Sequence, residues 1–190
     1  KVAARTSSFA FKGTNTDVRD IARTLKVAHI LEGSVQLAGD KVRVTAQLIR
    51  ASDGFHVWSE SYDRTMDDIF VIQDEIAEEV GQEYGRAMAE GLTGDALASG
   101  RRSLRSAMQA VADALTAHGF AAHAEGRDRL RIVNAHCPFG DVATDHPVIC
   151  AVDRGMVKGM LAALVDGDDA LDVVTEQSVA RGDNICSTAV

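Results

Sequence analysis

Cysteine is scarce in this chain: there are three among 190 residues. Three thiols cannot all pair within one chain, which excludes a disulfide scaffold and points toward a reducing, cytoplasmic setting. No apolar run approaches the ~20 residues needed to cross a bilayer, so no membrane segment is expected. No secretory signal opens the chain, since Lys1 leads into a strand-like segment. An initiating methionine is also missing, as in a fragment or a processed product. Positive charge is short too. The formal net charge is −8, and no dense Lys/Arg cluster offsets it, which disfavours nonspecific nucleic-acid binding. The short basic run "GRRSLR" at 100–105 reads as the solvated start of a helix. What is present is ordinary for a globular protein: 46% hydrophobic and 25% charged residues, in a length that suits one medium domain or two small ones.

The first half reads βαβββα. Val18, Ile21, Ala22 and Leu25 share one helical face, with Thr16 or Asn15 as its cap. "HILEGSVQLAG" and "KVRVTAQLIRA" form a hairpin joined at Ala38-Gly39-Asp40, because Val42, Val44, Ala46 and Leu48 alternate with polar residues. After "SDG" at 52–54 comes a third strand, "FHVWSESYDR". Its His56, Trp58, Glu60 and Tyr62 fall on one face by alternation, either a ligand or partner surface or a half-exposed face beside a helix or strand. Thr65 and Asp68 match a capping box, and a long helix then places Ile69, Ile72, Ile76 and Val80 on one side. No nucleophile–base pair and no phosphate loop occurs here.

The phrases "RTSSFAFKG", "LEGSVQLAGDKVRVTAQLIRASDGFHVWSESYDR" and "DIFVIQDEIAEEV" resemble the FlgO/TolB-amino-terminal-like module of bacterial proteins. That module often stands next to class III cyclase or tetratricopeptide regions. Its usual first strand and helix are absent here. The resemblance therefore implies an interaction module whose sheet has an exposed edge that invites pairing.

The second half places Leu104, Met108, Val111 and Leu115 at helical spacing, ended by Gly119. "FAAHAEG" and "DRLRIVN" read as a hairpin around 126–128, with His123 at the surface. A short helix follows Cys137, and another, opened by Pro147, runs to about Leu164 with Val152, Met156, Gly159 and Ala163 on one stripe. Two final strands are expected near 171–175 and 185–190. Together the halves predict an α+β protein of two small domains, 1–80 and 81–190. Each is a mostly antiparallel sheet with helices packed on it, and a long helix joins them.

The cysteines stand twelve and then thirty-five residues apart. Zinc knuckles use tight Cys-x(2–4)-Cys pairs and thioredoxin-like redox sites use Cys-x-x-Cys; neither is present. Buried core cysteine is one reading left. The other is a metal site, because each thiol sits at an element boundary. Cys150 lies in the first turn of the Pro147 helix, where free amides and the helix dipole favour a thiolate. The stretches "GRAMAE", "LTAHGF", "RLRIVNAHCPF", "HPVIC", "AVDRGMVKGMLAAL" and "GDNICSTAV" resemble the carboxyl-terminal part of SufR-like regulators, winged-helix repressors that sense iron–sulfur clusters. The resemblance implies an iron–sulfur cluster held by Cys137, Cys150 and Cys186, with the acid eight positions after the first cysteine, Asp145, as fourth ligand. His136 and His146 are the alternatives, and a Cys3His zinc site is the rival cofactor. Thiolate ligation with one weaker oxygen or nitrogen ligand suits a sensor.

A SufR-like repressor reads DNA through a helix-turn-helix ahead of the matched region, and here the FlgO-like module takes that place. The long acidic helix, with Asp67, Asp68, Asp74, Glu75, Glu78, Glu79, Glu83 and Glu90, would repel phosphates. The expectation is a non-enzymatic sensory domain with a protein partner and no direct DNA binding. A homodimer is allowed, and only such a dimer would assemble a basic groove, from Arg101, Arg102 and Arg105.

Overall fold

The structure, a computed structural model, describes residues 3–92, 94–101, 103–165 and 171–190. It is α+β, with two antiparallel sheets and helices around them. The chain divides into two compact units, Lys1–Ile72 and Gln73–Val190. The division lies inside a long helix, ahead of the 80/81 boundary read from the sequence.

The first unit opens with a short helix, α1 (Arg5–Phe9), where a strand-like segment was expected. Both the amide and the hydroxyl of Ser8 donate to the Ala4 carbonyl, which closes a local turn. Next comes α2 (Val18–Leu25), capped by Asp17 and not by Thr16 or Asn15. The Asp17 carboxylate accepts from the Arg19 amide at 2.8 Å and is gripped by the same residue's guanidinium. Three antiparallel strands follow in the order β1 (His29–Ala38), β2 (Lys41–Arg50) and β3 (His56–Thr65). Ala38 pairs with Lys41, so Gly39-Asp40 is a two-residue turn, and Gly39 takes φ 64° there.

The third strand departs from simple alternation. Tyr62, Glu60 and Trp58 oppose Val44, Ala46 and Leu48, but a register shift makes His56 oppose Ile49. Val57 is the extra residue of a bulge, so His56 does not share the face of the other three. Thr65 and Asp68 do meet, but side chain to side chain, with the Thr65 hydroxyl donating to the Asp68 carboxylate at 2.7 Å. A 3-10 turn over Met66–Asp68 then leads into α3 (Ile69–Glu90). Ala22, Val42, Ala46, Leu48, Ile49, Tyr62 and Ile72 are the buried hydrophobic residues of this unit.

The second unit takes up the rest of α3 and then adds α4 (Gly94–Gly100), a short helix that periodicity did not reveal. Helix α5 (Leu104–Ala117) is capped by Ser103, whose hydroxyl accepts from the Ser106 amide. Strands β4 (Ala122–Glu125) and β5 (Arg131–Asn134) form the expected hairpin. After α6 (Asp141–Asp145) comes α7 (Ile149–Leu164), which begins two residues beyond Pro147. The last strands are β6 (Val174–Gln177) and β7 (Cys186–Ala189), and the sheet order is β4-β5-β7-β6. Met108, Leu115, Ile132, Met160, Leu161 and Leu164 are nearly or fully buried in one cluster. Each such side chain contributes about 1.5–3 kcal/mol relative to exposure.

Helix α7 is seated by backbone contact. Gly81 and Gly85 of α3 face the backbone of Val152, Gly155 and Met156 in α7, and Gly155 and Gly159 of α7 face that of Glu78 and Gln82 in α3. A Cβ on Gly155 would lie 2.0 Å from the Glu78 carbonyl oxygen, and one on Gly85 would lie 2.3 Å from that of Met156. No side chain fits between the helices at these points, which fixes α7 in place. At the rim, the Glu78 carboxylate accepts from the Arg154 guanidinium at 2.6 Å and from the Lys158 ammonium. Burial opposes ionisation of Glu78, but these two cations outweigh it and hold its pKa below the ordinary 4.5. Glu78 therefore does not belong to a free acidic face, and Glu83 is likewise paired with Arg86.

Candidate metal centre

The three cysteines come from three places in the second unit. Cys137 follows β5, Cys150 is in the first turn of α7, and Cys186 opens β7. All three are half-buried and free of disulfides. Cys186 pairs across the sheet with Asn134, three residues before Cys137. The loop after β6 holds the other two sulfurs. The Ser178 hydroxyl lies 3.1 Å from Cys150 Sγ, and the Val179 amide donates to Cys186 Sγ at 3.4 Å. Ser178 is itself locked, because its amide donates to Asp183 Oδ2 at 2.7 Å and its Oγ accepts from the Ala180 amide. Either the hydroxyl or the Cys150 thiol can donate in this pair.

Burial and neighbouring acidic groups hold two of the thiols protonated. Burial pushes the Cys137 thiol above its ordinary pKa, and the charges of Asp153 and Cys186 push the same way, against the Phe139 and Gly140 amides. Burial also raises Cys150; the Ser178 hydrogen bond opposes the rise, while Asp153 and Cys186 add to it. The helix start was expected to favour a thiolate at Cys150. In the metal-free fold the desolvation cost outweighs that dipole, and the first-turn amide of Cys150 is already bonded to the Pro147 carbonyl. A bound cation would reverse the balance, since a coordinated thiol gives up its proton.

Sequence reasoning missed Asp153. It sits one helical turn after Cys150 on α7, and its Oδ1 is buried with no hydrogen-bond partner. Burial raises its pKa from 3.8 to about 7. An aspartate among Ala151, Gly155, Met156 and Val157, all buried, was the available signal. Asn134, 6% exposed, also has an orphaned Oδ1, and it shares its sheet face with Cys186 as a directly paired strand residue. Both oxygens are buried acceptors without a partner, and each calls for an explanation.

The residues expected to complete the ligand set lie differently. Asp145 closes α6 and is exposed, His146 caps that helix and is exposed, and His136 is exposed in the loop after β5. His123 is also exposed, 3.7 Å from Glu125. Arg102 lies outside the described residues. Among the described residues, no group of three or more His, Cys, Asp or Glu side chains is placed to hold a metal ion. A cleft of about 200 Å³ opens beside Cys150, walled by Pro147, Val148, Arg154, Ser178 and Arg181. Among the described residues no helix is long and apolar enough to cross a membrane.

Over 75 residues, 40% of its length, the chain is 49% identical to a protein of Rhizobium meliloti (strain 1021) named "Putative adenylate cyclase 3". The chain covers 13% of that protein's length. No protein-family model matches the chain. No solved structure matches it.

Proposed function

We propose that the second unit is a sensory domain that binds an iron–sulfur cluster through Cys137, Cys150 and Cys186, as its SufR-like motifs imply. One observation carries the reading. Cys150 and Cys186 both meet the loop after β6, at Ser178 and Val179, and Cys186 pairs across the sheet with Asn134, three residues before Cys137. When bound, the cluster would supply a redox-active, oxidant-labile group. The protein's part is to hold it. The Ser178 hydroxyl and the Phe139, Gly140 and Val179 amides point hydrogen bonds at the three sulfurs, which tunes cluster stability and potential. The cleft beside Cys150 gives small oxidants a route in. Visible absorbance of the anaerobically purified 190-residue chain tests the reading. A brown protein is expected. A colourless protein with stoichiometric zinc would favour the zinc site instead.

A second reading rests on the first unit, in which the FlgO/TolB-like half supplies the function and the cysteines are vestigial. Strand β1 is a ten-residue edge with Leu31, Val35 and Leu37 each more than half exposed, and Glu32 is its one acidic residue. It has neither the lysine nor the proline that commonly blunts an edge, which supports strand addition by a protein partner or a second copy. We read the 75 residues shared with the cyclase-named protein as an accessory module of that longer protein, and this chain as non-catalytic. Incubation with ATP and a divalent cation should yield no cyclic AMP. We also read the chain as lacking a duplex reader of its own, so sub-micromolar, sequence-selective binding in a gel-shift titration would count against the account.

A further inference from the structure

We propose that strand β1 is the interface of a homodimer, in which two copies pair antiparallel along it with Ser34 opposite its own counterpart, joining their three-stranded sheets into one. The inference rests on the strand-addition reading of the first unit and deepens it by naming the partner and the register. The two edges of the sheet differ. Strand β3 is interrupted by the bulge at Val57 and carries Glu60, Asp63 and Arg64, features that discourage pairing. Strand β1 runs ten residues without a register break, and Glu32 is its only Asp, Glu, Lys or Arg. Apolar cover also stops short of it. Leu31, Val35 and Leu37 share a face with Leu48, Val44 and Val42, their partners on β2. Leu48 and Val42 are buried, whereas Leu31, Val35 and Leu37 are 52%, 62% and 65% exposed.

Main-chain geometry restricts the register. Gly39-Asp40 is a two-residue turn with positive φ at Gly39 alone, the II′ type, and it closes on a hydrogen-bonded Ala38–Lys41 pair. Bonded and non-bonded pairs alternate along an antiparallel ladder. The even-numbered residues of β1 therefore direct their amides and carbonyls to β2, and those of Leu31, Gly33, Val35 and Leu37 point out of the edge. A second copy is hydrogen-bonded only where odd-numbered residues oppose odd-numbered ones. Two such two-fold registers overlap nearly the whole strand. One centres on Gly33 and sets Leu37 against His29 of the second copy. The other centres on Ser34 and sets Leu31 against Leu37, Gly33 against Val35, Ile30 against Ala38 and Glu32 against Gln36. Only in the second does each of Leu31, Val35 and Leu37 meet an apolar side chain or bare glycine backbone, and no like charges face each other. Gly33 is bare by necessity, because a Cβ there would lie 2.1 Å from the Thr45 carbonyl oxygen. The strand thus matches itself about a two-fold axis, as an isologous interface requires, and this singles out a second copy over a foreign strand.

The test compares the 190-residue chain with Leu37→Lys, Ser34→Cys and Gln36→Cys. Sedimentation over about 1–100 µM should show the parent passing from monomer to dimer, and Leu37→Lys should weaken dimerisation at least about tenfold, since each interface then sets two lysines against apolar partners. Under mild oxidation Ser34→Cys should give a dimer linked through position 34, identified by mass spectrometry against the background from the three natural thiols in the parent. Opposed residues of a non-bonded pair lie about 4.5 Å apart at Cα, within disulfide reach. Gln36→Cys should not link to itself, because position 36 faces position 32 of the second copy. A dimer that links through 36 and not 34, or that survives Leu37→Lys undiminished, overturns the proposal. So does a monomer throughout the range, and amide hydrogen exchange then shows which idea has failed. Fast exchange at Leu31, Gly33, Val35 and Leu37 in that monomer means that the edge is open and only the second copy is wrong. Slow exchange there means that the edge is covered within the chain, and the strand-addition reading falls with the proposal.

Discussion

The two units distribute their apolar residues in opposite ways. In the first, Leu31, Val35, Leu37, Phe55 and Phe70 stand more than half exposed. In the second, the large apolar side chains gather in one cluster, and two helices meet backbone to backbone through glycines. Only the second unit buries polar groups without partners, at Asp153, Asn134 and Thr175, among the described residues. The contrast separates two kinds of work. An open apolar edge suits association with another chain. A rigid, close-packed frame suits holding thiols and a carboxyl in a fixed relation, because side chains on packed elements keep their geometry.

The sharpest way to break the contrast is to unseat α7. Gly155→Val forces a side chain into the Glu78 carbonyl, and the helices must separate. Urea unfolding should show the second unit losing about 4–5 kcal/mol, with the protection of β1–β3 amides in hydrogen exchange unchanged. An equal loss in both units would show that they fold as one.

Next in size is a pH effect. Asp153 is neutral in the metal-free fold up to about 7, whereas in the unfolded chain it ionises near 3.8. Between those values the folded state holds the extra proton. Stability therefore falls as pH rises through this window, by on the order of 2–4 kcal/mol, and is level above it. Asp153→Asn should flatten that slope in denaturation curves taken across the window.

Glu78 acts with the opposite sign. Its depressed pKa means that its contribution is present above about 4.5 and is lost as pH falls through the depressed value. Glu78→Ala should cost about 1–2 kcal/mol at neutral pH, since the pair with Arg154 and Lys158 is only partly buried. The smallest stability effect is expected at the first unit's edge. Leu37→Lys should change folding by less than about 0.5 kcal/mol. It should nonetheless weaken any concentration-dependent association seen by light scattering, since a charge on the edge opposes strand addition.

Much of the fold was legible where a period was long and clean. The β1–β2 hairpin, the β4–β5 hairpin and helix α5 stand where alternation or 3.6-residue spacing placed them. The β3 bulge was not legible, because one extra residue shifts a face without altering composition. Helix α4 escaped notice because seven residues, three of them alanine or leucine, carry too little periodicity. At the site, the three cysteines were visible as residue types at element boundaries. Asp153 was not, because its meaning depends on burial and on Oδ1 lacking a partner, both properties of the packed chain. Asp145 was favoured by a spacing along the sequence, and the structure places it exposed at the end of α6.

The central claim is that these three thiols hold one cluster, and iron and acid-labile sulfide per chain measure it most directly. After anaerobic reconstitution and desalting, the 190-residue chain should retain both in a fixed ratio. Single serine substitutions at Cys137, Cys150 and Cys186 should each abolish retention, while their metal-free far-ultraviolet circular dichroism matches the parent. Retention unaffected by any one of the three substitutions, or a parent chain that retains neither iron nor sulfide, would contradict the account.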